Sequence, residues 1–235
     1  MGIIIYDDSS SGLTFGDLQN RVKTFGYGDA DLPNIKIWLN IAYQEIATRF
    51  RWSWTQAIQD ITLTVGNPDY SLSSLTNPIA FFGKLRPMQA GLGEPEYVDN
   101  FDQRQYMFMH EYADSAVTGQ PQYFTKFANK LTFSPAPDAA YPYELHYWGL
   151  PFEMVNDDER PLIPAQYRNV LIMGAVASAK IRDNNVGAYA QYQNSYEGMI
   201  RNMIKNENMA QSQNRRTVAL PAEYGNTYDR PGWRF

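Results

Sequence analysis

Residues 31–51, which read DLPNIKIWLNIAYQEIATRFR, carry the clearest structural pattern in the chain. Asp31 is a favourable helix cap, and Pro33 is tolerated in a first helical turn. The apolar residues recur at alternating steps of four and three, which places them on one face of an α-helix. These residues are Ile35, Leu39, Ala42, Ile46 and Phe50. The pattern predicts an amphipathic helix over about 33–51.

Three further segments have helical spacing. Residues 13–25 begin with an approximate capping box, because Thr14 is followed three residues later by Asp17. Residues 164–182 present one broad apolar face with small residues along it, and 186–207 form the last predicted helix. Large side chains repeat along that helix in steps of three and four, a spacing typical of a seam between helices. They are Tyr189, Tyr192, Tyr196, Met199 and Met203.

Between the two helical regions the apolar period changes to two, which is the spacing of half-buried strands. Strands are predicted at 57–65, 79–90, 123–127, 130–134 and 143–150. Residues 99–112 have the spacing of a short helix.

This order of elements predicts an α+β fold: an antiparallel bundle of about four helices, an inserted antiparallel β lobe and an extended C-terminal arm. The predicted units are a flexible N-terminal lead at 1–12, the first helical pair at 13–56, the β-rich lobe at 57–150, a linker and the second helical pair at 151–207, and the arm at 208–235.

The C-terminal arm combines irregular polar sequence with separated large apolar side chains. A purely solvated tail seldom carries so many anchors, so we interpret the arm as a segment that orders against a partner protein. Its candidate binding residues are Arg215, Arg216, Leu220, Tyr224, Tyr228, Trp233 and Phe235.

A second aromatic group lies within the predicted helices and just after them. These residues serve either the bundle core or a contact between subunits, and the core is favoured because a monomer must first bury apolar area of its own. They are Trp38, Trp52, Trp54, Tyr189, Tyr192 and Tyr196.

Composition excludes several classes of function. The net charge is −5 and the pI is near 5.1. Proteins that grip nucleic acid through its phosphates are usually basic, so sequence-specific DNA binding is not expected. The chain has no cysteine, which excludes disulfides, thiolate metal sites and cysteine nucleophiles. No apolar run is long enough for a signal peptide or a membrane span.

No catalytic motif is present, and no cofactor is expected. His110 and His146 are the only histidines, and neither lies in a metal-binding spacing. Glu94 and Glu96 are the remaining candidate pair for acid–base chemistry. The run Asp157-Asp158-Glu159 could hold a hard cation, but it lacks the ligand spacing of a calcium loop, so a solvated acidic run is the favoured interpretation.

The order of motifs resembles that of tailed-bacteriophage head-to-tail adaptor proteins over about 13–205. The resemblance rests first on residues 32–47, LPNIKIWLNIAYQEIA, which are followed by RWSW at 51–54. Further motifs then appear in the same order. They are GQPQYF at 119–124, LTFSPAPD at 131–138, YELHYW at 143–148 and PLIPAQY at 161–167.

The resemblance implies a structural virion protein that is made in the host cytoplasm and resides in the neck. It implies a homo-oligomeric ring, a dodecamer, that docks on the portal protein through the C-terminal arm and on a downstream tail or neck protein through the β lobe. The ring would line part of the DNA channel with only passive contact to DNA. The alternatives are another neck or tail ring protein, such as a tail terminator, and a small virion-associated hydrolase.

Overall fold

The computed structural model describes residues 12–98, 118–127 and 129–216. Its helices are α1 (Phe15–Lys23), α2 (Leu32–Arg49), α3 (Asn169–Arg182) and α4 (Val186–Arg216). Short 3-10 turns lie at Asp29–Asp31, Ser53–Thr55, Leu72–Ser74 and Ala165–Tyr167. The strands are β1 (Gln56–Thr62), β2 (Asp69–Ser71), β3 (Ile79–Pro87), β4 (Glu96–Tyr97), β5 (Thr118–Gly119), β6 (Tyr123–Phe127), β7 (Lys130–Ser134), β8 (Ala136–Pro137) and β9 (Pro142–Gly149).

Helix α1 begins at a complete capping box. Thr14 accepts a hydrogen bond from the backbone N–H of Asp17, and the Asp17 carboxylate accepts one from the backbone N–H of Thr14. The next two backbone N–H groups of α1, at Phe15 and Gly16, donate to the carbonyls of Glu159 and Asp157 at 2.8 and 2.9 Å. The linker at residues 151–164 therefore satisfies the first turn of α1, which would otherwise leave buried donors unpaired.

The acidic run in this linker is bonded to two helices. Asp157 accepts a hydrogen bond from the Gln19 amide at 3.0 Å and forms an ion pair with Lys36 at 3.1 Å. These contacts lower the pKa of Asp157, the Gln19 hydrogen bond most and the Lys36 hydrogen bond next. The backbone N–H of Val155 likewise lowers the pKa of Glu159. Asp157 is exposed, as expected for a solvated run, but its carboxylate and that of Glu159 also hold the linker in place.

These contacts predict an acid-sensitive stability. A carboxyl whose pKa is lower in the folded state stabilises the fold at neutral pH, and this contribution disappears as the pH falls through the folded pKa. We expect the unfolding temperature to be nearly constant from pH 7 to 5 and to drop below about pH 4, the ordinary carboxyl range. Asp157→Asn should lower stability at pH 7 and flatten this acid limb in thermal denaturation. The exposed neighbour Asp158 gives the matched control, because Asp158→Asn should follow the unaltered protein at every pH.

The helices pack around one apolar core. Helix α2 contributes its predicted stripe, of which Ile35, Leu39 and Ile46 are fully buried. Trp52 lies just past the end of α2, is 1% exposed and donates its indole N–H to the Ile46 carbonyl at 2.7 Å. This bond satisfies a carbonyl near the C-terminus of α2, where no backbone partner follows within the helix.

The β lobe has a separate core between two main sheets. One sheet has the order β1-β9-β3 with antiparallel pairing, and the other has the order β2-β7-β6-β4, in which β4 pairs parallel to β6. Along β9, Tyr143, Leu145 and Tyr147 are buried in this core, whereas Glu144 and His146 alternate with them on the opposite face. Burial raises the pKa of Tyr143 to about 12.

The predicted α+β class is confirmed, with four helices in the described part of the chain and a mainly antiparallel β lobe inserted between α2 and α3. Helix α3 starts later than predicted, at Asn169, because a 3-10 turn follows Pro164. The first strand ends at Thr62 rather than 65, before the turn at Gly66. The predicted helix at 99–112 and residues 1–11 of the predicted lead at 1–12 lie outside the described residues.

Helix α4 differs most from expectation. It was predicted to end near 207, with irregular chain from 208 onward, but it continues to Arg216. Residues 208–216 contain neither Gly nor Pro and include Met, Ala, Gln and Arg, which all favour helix. Extending an existing helix avoids the cost of nucleation, so the helix propagates without an apolar stripe to support it.

In the described part of the chain, no helix combines the length and apolar character that a membrane span requires.

Candidate assembly surfaces

The aromatic residues predicted to serve either core or interface lie mostly in the helical bundle. Trp52 and Tyr196 are each 1% exposed in its core. Trp38, Trp54 and Tyr192 are partly buried against that core, and Tyr189 is half-buried on α4. Burial raises the pKa of Tyr196 far above its ordinary value. The structure therefore gives most of this group a role inside one subunit.

Trp38 belongs to a polar and aromatic corner that joins α2 to the C-terminus of α3. The Arg182 guanidinium lies 4.9 Å from the Trp38 ring centroid and 5.7 Å from that of Tyr27. Arg182 also forms ion pairs with Asp31 at 2.8 Å and Asp183 at 3.2 Å. Cation–π contacts of this kind add stability when the cation is held in place, as Arg182 is here.

Tyr196 is part of a second link, between α2 and α4. Arg49 pairs with Glu45 in its own helix and with Glu197 at 2.8 Å, and its guanidinium lies 6.0 Å from the Tyr196 ring centroid. The Tyr196 hydroxyl donates to Glu45 at 3.2 Å. These contacts fix the long helix α4 against α2 and so fix the direction in which its C-terminus leaves the bundle.

The C-terminal end of α4 is the first candidate assembly surface. Asn206 donates to the Tyr167 hydroxyl at 2.8 Å, and Glu207 accepts a hydrogen bond from the Ser53 backbone N–H at 2.9 Å. Asn208, Met209 and Ala210 are exposed beyond these contacts. Arg215 and Arg216 are the last two residues of the helix. The other predicted arm residues lie outside the described part of the chain. They are Leu220, Tyr224, Tyr228, Trp233 and Phe235.

The second candidate is the outer sheet face, formed by the outward residues of β1, β9 and β3. Ile58 is 60% exposed and lies opposite His146, which in turn lies opposite Lys84. In the next row Asp60, Glu144 and Arg86 are cross-strand neighbours. His146 approaches Glu144 at 3.3 Å. The face mixes both signs of charge around one exposed isoleucine, which is typical of a polar protein contact.

The candidate catalytic and metal-binding groups are dispersed. Glu94 lies in a loop and Glu96 on β4, and both are exposed. His146 has the sheet neighbours given above, while His110 lies outside the described residues. Among the described residues, no three His, Asp or Glu side chains come together in a group that could hold a metal ion.

The third candidate was missed in the sequence. Ile37 and Ile41 lie one turn apart on the solvent side of α2 and are 55% and 52% exposed. Beside them runs the linker, in which Phe152 and Val155 are 62% and 66% exposed. We call these four residues the α2 apolar surface. The sequence did carry one indication of this surface. Ile37 and Ile41 are two large apolar residues four positions apart on α2, and neither belongs to the buried stripe.

Comparison with known proteins identifies the class. A family model described as SU10 adaptor protein matches residues 13–221, which include the helical bundle, the β lobe and the first part of the C-terminal segment. No curated protein matches the chain. Since the family match covers most of the chain, the protein belongs to the SU10 adaptor protein family, a phage head-to-tail adaptor family, and is a structural adaptor of the phage particle.

Proposed function

We propose that the protein is a ring subunit in the virion neck that docks on the portal and links the capsid to the tail. The observation that carries this proposal is the family match over residues 13–221. It includes both apolar cores, so the whole fold and not one motif is shared with the adaptor family.

The portal contact is assigned to the C-terminal segment. Helix α4 has 31 residues, which corresponds to about 46 Å at the rise of an α-helix. Its last hydrogen bonds to the bundle given above are at Asn206 and Glu207, and the helix continues to Arg216 beyond them. Separated aromatic residues on such a segment are the side chains that dominate binding energy at protein interfaces.

The downstream contact is assigned to the β lobe. Its core is separate from the helical core, so the lobe can meet a different neighbour without disturbing the bundle. The outer sheet face supplies a polar surface with Asp60, Lys84 and Arg86 exposed on it. Polar, charged surfaces favour specificity and correct register over raw affinity.

The role in the DNA channel is a passive one, and we propose no enzymatic activity. The chain has a net charge of −5, so a ring of copies carries a strongly negative field. Acidic groups facing a channel repel the DNA phosphates, which lets DNA slide past without being held.

The test is reconstitution with the portal. We expect the purified protein to bind portal rings and to form a ring of about twelve copies when the complex is imaged by electron cryo-microscopy, because heterologous contacts close into rings when the rotation allows. An antibody to the chain should label the neck of mature virions. Binding to tail-tube rings instead of portal rings would assign the protein to tail completion, and absence from virions would exclude the proposed role altogether.

A further inference from the structure

The α2 apolar surface is built on ordered backbone and is not a frayed end. Asn40 forms a reciprocal pair with Met154, in which its amide donates to the Met154 carbonyl and accepts from the Met154 N–H, both at 2.9 Å. Lys36 donates to the Val155 carbonyl at 3.4 Å. The linker, which carries Phe152 and Val155, is thereby held along α2 at residues next to Ile37 and Ile41 in sequence. Exposed large apolar side chains on a fixed scaffold favour coverage by another apolar element.

The N-terminal chain enters the fold beside this same linker. Arg168 donates to the Leu13 carbonyl at 3.3 Å and to the Ile163 carbonyl at 3.1 Å. Phe15 is bonded to the Glu159 carbonyl, and the Glu159 side chain accepts from Val155 N–H at 2.6 Å. A short series of hydrogen bonds thus connects the point of entry to Val155. Leu162, which is 56% exposed, lies in the same linker, between Val155 and Arg168 in sequence.

Residues 1–11 precede this point of entry and contain an apolar run to which no role has been assigned. Ile3, Ile4 and Ile5 are consecutive, and Tyr6 follows them. The eight residue-to-residue steps from Ile4 to Gly12 can span at most about 29 Å, which is comparable with the length of α2 at about 27 Å. The tether is therefore long enough for contact with a surface of its own subunit that lies along α2. A short tether also gives it a high effective concentration there, which favours this occupant over a second copy.

We propose that residues Ile3–Tyr6 dock on the α2 apolar surface of the same subunit. This inference is independent of the portal role, because it concerns a contact within one chain. In this arrangement Ile3–Tyr6 and the α2 apolar surface cover each other, so the α2 apolar surface does not contact neighbouring proteins.

Cysteine cross-linking tests the proposal, since the chain has no cysteine of its own. The full chain carrying Ile4→Cys and Ile41→Cys is treated with oxidised glutathione and analysed on non-reducing gels and by peptide mapping. We expect an intrachain disulfide to be the main product. The matched control combines Ile4→Cys with Ile58→Cys, because Ile58 is equally exposed but lies on the β lobe. Equal intrachain yields for the two pairs, or only interchain products from the first pair, would overturn the proposal.

A second measurement uses no cysteine. Replacing Ile3, Ile4 and Ile5 by serine should raise the fluorescence of an apolar dye severalfold, because the α2 apolar surface becomes uncovered. Adding Ile37→Ser and Ile41→Ser to that variant should reverse the increase. An unchanged dye signal in the triple variant would contradict docking. The portal reconstitution described above tests the proposed function separately. A negative result in the cross-linking and dye experiments therefore leaves the portal role standing, and loss of portal binding leaves the N-terminal contact standing.

Discussion

A chain that ends at Ala210 is expected to fold like the full-length protein and to lose portal binding. The truncated chain keeps the bonds of Asn206 to Tyr167 and of Glu207 to Ser53, which hold α4 on the bundle. It lacks every candidate arm residue. Interface aromatic residues contribute about 2 kcal/mol or more each, so the loss of any two of the four arm aromatic residues already weakens binding about 1000-fold, and the loss of all four weakens it further. Titration of portal rings by mass photometry or surface plasmon resonance measures the loss, and circular dichroism verifies the fold.

Two further variants locate the binding within the arm. A chain that ends at Pro221 retains Arg215, Arg216 and Leu220, which lie inside the family match, and removes the four aromatic residues beyond it. We expect this chain to bind almost as weakly as the shorter one. Trp233→Ala with Phe235→Ala in the full chain should give part of the same loss. The control is Val186→Ala, at the opposite end of α4, where the side chain is 75% exposed. Undiminished portal binding by the chain ending at Ala210 would exclude the arm as the docking element.

The sequence predicted the helices and the longer strands well because each of them carries its own periodic signal. The stripe of Ile35, Leu39 and Ile46 in α2 repeats with helical spacing and is fully buried, and the alternation of Tyr143, Leu145 and Tyr147 in β9 marks one face of a strand. Such patterns are local, and burial against any apolar partner satisfies them. For the same reason the aromatic residues of the helices could be assigned to core or interface only as alternatives.

The features that sequence reasoning missed are contacts between distant segments. Asp157 lies 138 residues from Gln19, to which it is bonded, and Met154 lies 114 residues from Asn40. Neither pair has a spacing that marks it in advance. The α2 apolar surface depends on these contacts, because they hold the linker that carries Phe152 and Val155 along α2. The extension of α4 to Arg216 was missed for another reason, since it rests on helix propensity and not on an apolar pattern.

The second large effect, a loss of stability, is expected at Gly174, where three helices approach each other closely. Gly174 is buried in α3, and a Cβ atom placed there would lie 2.8 Å from the Ala42 Cβ in α2 and 2.9 Å from the Tyr196 ring in α4. Both distances are shorter than carbon atoms tolerate. Tyr196 is 1% exposed and bonded to Glu45, so its ring has little freedom to move.

Gly174→Val is therefore expected to destabilise the protein by about 3 kcal/mol or more, the upper range for overpacking a well-filled core. For a chain of this size that lowers the unfolding temperature by about 6–12 °C. The matched control is Gly198→Ala in α4, where an added Cβ meets nothing within 4 Å, so the gain in helix propensity should stabilise by about 0.5–1 kcal/mol. Adding Ala42→Gly to the Gly174→Val protein should restore only part of the lost stability. It relieves the contact with α2 but leaves the contact with Tyr196. Thermal unfolding of all four proteins provides the comparison. A Gly174→Val protein that melts with the unaltered one would show that the helices are packed less closely than described, and that α4 is not held rigidly enough to direct the C-terminal segment.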